Sequence, residues 1–197
     1  MSRGSTARLF VALDLPGNIC DELSHWGRAV AATPGSVPTL RVLEPRSLHL
    51  TLCFLGSRPV AEIDALAAAL EHCAQPLGEL SLGAPLLLPP RRPRSLAVAV
   101  GDPAGTLADM HQCLLSALSE ASGWEPDRRR LRPHVTVARM RSAGGMEAGI
   151  AALTLPTPQL AFTPLALALY RSTLEPTGAR YEELARCELP AEPSCES

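Results

Sequence analysis

Apolar and polar positions follow two rhythms along this chain. From Leu9 to Leu13 every position is apolar, with Leu9, Val11 and Leu13 on one face of a strand and Phe10 and Ala12 on the other. That run predicts a strand over 8–14, buried on both faces and central in a sheet. Pro16 then fits the first turn of a helix, and Ile19, Leu23, Trp26 and Val30 follow at helical spacing. Pro34, Gly35, Pro38 and Pro45 make 32–46 a loop with a short strand around 39–43. A strand over 48–54 ends at Gly56. Pro59 opens a helix over about 60–74, with Ile63, Leu66, Ala67, Leu70 and Cys73 on one face. Strand patterns return at Leu80, Leu82 and Leu86 to Leu88, and again from Ser95 to Val100. Leu107, Met110, Leu114, Leu115 and Leu118 stripe a third helix over 103–122, stopped by Gly123. Residues 141–151 are glycine-rich and then weakly helical. Strands are expected near 158–163, 165–172 and 180–188, and 190–197 as a disordered tail.

Helices mixed with antiparallel strands define an α+β chain. Its 197 residues make one domain, 7–189, with flexible ends at 1–6 and 190–197. The net charge of −2 argues against a generally basic nucleic-acid coat, so any RNA contact must be local. No apolar run approaches a membrane span. Asp14 and Pro16 interrupt the first apolar run before it reaches the length of a secretory leader. A cytoplasmic protein is expected. The six cysteines, at 20, 53, 73, 113, 187 and 195, form no Cys-x-x-Cys pair. They read as small thiols in a reducing compartment, with Cys195 exposed in the tail.

Candidate chemistry lies in a phrase that occurs twice. Residues 48–56 read Leu-His-Leu-Thr-Leu-Cys-Phe-Leu-Gly, and 133–139 read Pro-His-Val-Thr-Val-Ala-Arg. Side chains alternate along a strand, so His49 shares a face with Thr51, and His134 with Thr136, each backed by apolar residues. Two imidazoles can divide the work of a general base and a general acid. Two threonine hydroxyls can donate to phosphate oxygens. Together they suit in-line displacement at phosphorus, with a base on the attacking water and an acid on the leaving oxygen. The other three histidines read as bland: His25 and His72 on helix surfaces, His111 structural beside the third helix's stripe.

On these residues the chain resembles the 2H phosphoesterase superfamily, and within it the RNA 2′,3′-cyclic phosphodiesterases, also called 2′-5′ RNA ligases. The matching stretches are 8–16, 47–56, 132–140, Leu-Tyr-Arg-Ser at 169–172 and Ala-Arg-Tyr-Glu-Glu-Leu at 179–184, in family order. The resemblance implies a bilobal fold of two antiparallel sheets around a central cleft, helices outside, related by a pseudo-two-fold axis. It implies hydrolysis of RNA 2′,3′-cyclic phosphate ends to a 2′-phosphate, reversible as 2′-5′ ligation. It assigns His134 as general base, His49 as general acid, and Thr51 and Thr136 to the phosphate. It needs no metal and no cofactor, and its partner is RNA bearing a cyclic phosphate end; the chain is expected to be a monomer with no obligatory protein partner.

Weaker substrate-binding candidates follow from matching positions: Arg129, five residues before the second motif histidine; Arg139; Tyr170 and Arg171, facing the cleft; and Phe10 and Phe54, near the site. For Arg129 and Arg139 an ordinary ion pair is the competing reading, and for the two phenylalanines core packing. Arg128 and Arg130 read as solvated. Arg91, Arg92 and Arg94, in a Pro/Arg turn, are either solvated or an RNA contact at the rim. Two other functions stay open: a phosphodiesterase for another cyclic phosphate, such as ADP-ribose 1″,2″-cyclic phosphate or a cyclic nucleotide, and a non-catalytic RNA-end binding module.

Overall fold

The apolar runs pair into one antiparallel sheet. A computed structural model describes residues 5–33, 40–127, 129–140, 155–175 and 178–191. The elements in chain order are β1 (Thr6–Asp14), α1 (Gly17–Ala32), β2 (Leu40–Val42), β3 (His49–Pro59), α2 (Ile63–Cys73), β4 (Leu80–Leu88), β5 (Ser95–Gly101), α3 (Thr106–Ser122), β6 (His134–Met140), β7 (Ala161–Phe162), β8 (Ala166–Glu175) and β9 (Gly178–Glu188). Short 3-10 turns at Pro45–Ser47 and Val60–Glu62 lead into β3 and α2. Arg128, the 141–151 stretch, Cys195 and most of both expected tails lie outside the described residues. No described helix is long and apolar enough to cross a membrane.

The strand order is β7-β4-β5-β6-β3-β1-β8-β9, with β2 added to β6. The α+β class stands, but the two separate sheets expected from the resemblance form one continuous nine-stranded sheet. The reason is local. β3 is the inner edge of a four-strand half and β6 that of a five-strand half that includes β2, and an open edge carries unpaired backbone groups. The two edges join through a single pair, Leu50 with Val135. β1 lies between β3 and β8, as its apolar run predicted.

The helices cover the face on which Leu50 and Val135 are fully buried. Leu23, Leu66, Leu70, Leu107, Met110, Leu114 and Leu118 are each 0% exposed against it, and each such side chain contributes about 1.5–3 kcal/mol. α1 approaches β6 and β2 closely at Gly27, where a Cβ would lie 2.6 Å from a Val137 methyl and 3.1 Å from one of Val42. Gly123, with φ 62°, ends α3 by donating its N–H to Ser119 O at 2.8 Å. His25 and His72 are exposed and His111 is buried, as expected.

The cysteines depart from the expectation of six reduced thiols. Cys73 on α2 and Cys113 on α3 form a disulfide with their Cα atoms 5.8 Å apart. Side-by-side packing of the two helices brings the residues within bridging range. Cys20 and Cys53 are free and buried. Burial pushes their thiols up to about 11 and about 12, so they are inert.

Candidate active site

The two motif strands meet at Leu50 and Val135 in antiparallel sense. That register sets His49 opposite Thr136 and Thr51 opposite His134, all four on the face away from the helices. Beyond each threonine the alternation breaks. In β3, Leu52 and Cys53 are both buried, and the register with β1 slips between Val11 and Ala12. In β6, Val137 and Ala138 are both buried, and the register with β5 slips between Leu96 and Ala97. A bulge inserts one residue and re-aims everything after it. Strict alternation would turn Phe54 and Arg139 toward the helices. The two bulges turn both onto the face of the histidines.

Each histidine is tethered the same way. His49 Nδ1 lies 3.0 Å from Ser47 O, and His134 Nδ1 lies 2.7 Å from Arg132 O. A carbonyl only accepts, so Nδ1 is the protonated nitrogen of each neutral ring, and Nε2 is left for a substrate. The carbonyl comes each time from two residues upstream. His49 is also enclosed by aromatic rings: Phe10 at 4.9 Å between centroids and Tyr181 edge-on at 5.0 Å. Burial therefore pulls His49 down to about 4. The Ser47 carbonyl pushes the other way without prevailing, and the Arg139 and His134 charges add to the fall. Beneath, Tyr170 stacks on Phe10 at 5.3 Å and donates its hydroxyl to Asp14 Oδ1 at 2.6 Å. Arg186 pairs with the other oxygen of Asp14. Burial, then the Glu183 charge, pushes Tyr170 up to about 12, which keeps it a donor.

A cavity of about 410 Å³ gathers His49, Thr51, His134, Thr136, Arg139, Phe10 and Phe54. Phe10 is 3% exposed and forms its floor, whereas Phe54 is 68% exposed and forms a wall, with the exposed Leu174 lining the same cavity. Core packing is thus wrong for Phe54, and the β3 bulge is the reason. Tyr170 lies under the His49 ring rather than on the cavity lining. Arg171 turns away and pairs with Glu182 at 3.1 Å. Arg129 also lies elsewhere: it pairs with Asp127 at 3.7 Å and lines a separate cavity beside α3. The ion-pair reading therefore holds for Arg129 and not for Arg139, which instead reaches Tyr181 Oη at 3.5 Å. Arg91, Arg92 and Arg94 are exposed on the β4–β5 turn. Tyr181 is a site residue that motif reading did not single out, although it lies within the matching stretch 179–184. Among the described residues no cluster of His, Cys, Asp and Glu has the makings of a metal site.

A single α+β sheet that brings two His-x-Thr strands together on one face, each histidine presenting Nε2, defines a protein of the two-histidine class. The comparisons make this specific: residues 22–175 match the 2′-5′ RNA ligase superfamily, and the chain belongs to that family. It is 30% identical over 182 residues to the RNA 2′,3′-cyclic phosphodiesterase of Escherichia coli, covering 91% of this chain and 94% of that one. It is 32% identical over 131 residues to the protein of the same name from Aeropyrum pernix, covering 65% and 67%. Among solved structures, that of E. coli LigT complexed with 3′-AMP superposes with a TM-score of 0.74 at 28% identity, over 94% of this chain and 99% of that one.

Proposed function

We propose that this protein hydrolyses RNA 2′,3′-cyclic phosphate ends to a 2′-phosphate by acid–base catalysis between His49 and His134, without a metal. The observation that carries the reading is the matched tethering of the two rings beside two threonines and an arginine in one cavity. The names of the relatives support the substrate. One imidazole takes a proton from water as its oxygen attacks phosphorus; the P–O3′ bond breaks and the other imidazole protonates O3′. Thr51 and Thr136 donate to the non-bridging oxygens, and Arg139 offsets their charge.

The roles taken from the resemblance are His134 as base and His49 as acid. At pH 7 a ring with a pKa of about 4 is almost wholly neutral, so charging it costs about 4 kcal/mol. A phosphate monoanion about 4 Å away supplies about 4 kcal/mol at an effective dielectric of about 20. The charge of the bound phosphate therefore offsets the cost of charging His49, which takes its proton from solvent as the substrate binds.

The test is turnover, with EDTA present, of an RNA oligomer ending in 2′,3′-cyclic phosphate, the product compared with 2′- and 3′-phosphate standards. His49→Ala and His134→Ala each lower kcat at least about 10²-fold. A phosphodiester with a nitrophenolate leaving group needs no acid, so it rescues the His49 variant and not the His134 variant; the opposite rescue exchanges the roles. A 3′-phosphate product overturns the assigned leaving oxygen. Turnover of ADP-ribose 1″,2″-cyclic phosphate alone overturns the RNA assignment, and RNA bound without turnover makes the protein an end-binding module.

A further inference from the structure

The catalytic cavity does not end at the histidines. A second cavity, of about 710 Å³, adjoins it and shares Arg41, Leu43, Ser47, Glu175, Gly178, Ala179 and Tyr181 with its lining. Its walls are β2 with the turn before β3 on one side and the start of β9 on the other. The first cavity alone, at about 410 Å³, has room for one small ligand. The second adds a trench that a mononucleotide would leave unfilled.

The trench has a chemistry. Arg41, Arg46 and Arg180 line it, against Glu44 and Glu175. Arg46 pairs with Glu44 at 2.7 Å, but the two side chains are 84% and 65% exposed. Arg180 pairs with Glu175 at 3.8 Å, at 76% and 39% exposure. Exposed pairs of this kind hold weakly and exchange readily for a phosphate. Arg41 has no carboxylate within ion-pair distance among the described residues. Its guanidinium lies over Gly178, at a point where any Cβ would collide with it. Gly178 has φ 133°, a backbone that disfavours side chains in any case. The hairpin thus leaves a gap that Arg41 occupies, at the junction of the two cavities. In a chain of net charge −2, this gathers three arginines, against two glutamates, in the trench that adjoins the site.

We propose that the trench binds the strand upstream of the reacting end. Arg41 takes the first phosphodiester beyond the terminal nucleotide, and Arg46 and Arg180 take one each of the two that follow. This rests on the phosphodiesterase reading above and narrows its substrate to polynucleotide ends. Each phosphate contact on a single strand contributes about 0.7 to the slope of log affinity against log salt. Three contacts predict a loss of roughly 20-fold between 50 and 200 mM salt.

The experiment measures binding of a fluorescent ten-nucleotide RNA ending in a 2′-phosphate, at both salt concentrations, to the wild type and to Arg46→Gln/Arg180→Gln. Both residues are exposed, so the fold tolerates the change. In parallel, turnover of a 2′,3′-cyclic mononucleotide reports the catalytic reading alone. The expected result is at least fivefold weaker binding of the variant at 50 mM salt, a salt slope smaller by about 1.4, and mononucleotide turnover within twofold of wild type. Equal binding and an equal slope in the two proteins overturn the trench, whether or not the mononucleotide turns over. Absent turnover of cyclic substrates with RNA binding still lost in the variant overturns the catalytic reading and leaves the trench standing.

Discussion

The enclosure of His49 has a consequence for folding that needs no substrate. Its ring is held neutral by burial, with a pKa of about 4 against an ordinary 6.5. The unfolded chain binds a proton at this residue below about pH 6.5, and the folded chain does so only below about 4. Stability from this group is therefore whole above 6.5, falls as the pH drops through that window, and is fully lost below 4. The gap is worth about 3.4 kcal/mol as a ceiling, and by pH 4.5 about 2.5 kcal/mol of it is gone. The perturbation is His49→Gln, which keeps a neutral polar side chain and removes the titration. The assay is urea unfolding at pH 7.5 and 4.5 for both proteins. Every other group that titrates in the window, His111 among them, contributes to both and cancels. Wild type should lose about 2.5 kcal/mol more than the variant on going to pH 4.5. The same group should give kcat/KM an acid limb near 4. An equal loss of stability in the two proteins, or an acid limb above 6, would refute the claim that Phe10, Tyr170 and Tyr181 desolvate this ring.

Three further outcomes are expected. Phe54→Ala, at a 68% exposed position, should leave Tm nearly unchanged while raising KM for a cyclic nucleotide roughly fivefold to a hundredfold, the value of one stacked base; unchanged KM removes Phe54 from the site. Gly27→Ala should destabilise: the helix gains about 1 kcal/mol, but a methyl 2.6 Å from Val137 must displace a stiff, fully buried side chain, at about 1–3 kcal/mol. A rise in Tm would show that α1 has room to move. Reducing the Cys73–Cys113 bond, which closes a separation of 40 residues, should lower the unfolding free energy by about 2–4 kcal/mol; chemical denaturation with and without reductant reads this directly.

Strand and helix rhythm told which residues share an element, and for His49, Thr51, His134 and Thr136 it also told the face. It failed where geometry depends on a single extra residue. Phe54 and Arg139 each follow their motif histidine by five positions, and a period of two sends both to the core. The bulges that re-aim them left one trace, two apolar residues in succession after each threonine: Leu52 and Cys53, Val137 and Ala138. The joining of the sheet was illegible because it rests on one pair, Leu50 with Val135. The disulfide was illegible because it depends on the relative rotation of two helices. Arg129 and Arg171 had the right spacing, but the fold sets Arg129 on a separate cavity beside α3 and turns Arg171 toward Glu182. The two bulges then carry one step more. They make Phe54 and Arg139 equivalent positions of a near-symmetric pair of strands, one apolar and one cationic. The backbone is doubled, but the site is not. A phosphate between the histidines meets positive charge on the β6 side, and a nucleobase meets a ring along β3. On the proposed function, that difference, rather than the paired motif, is what gives an RNA end its direction in the site.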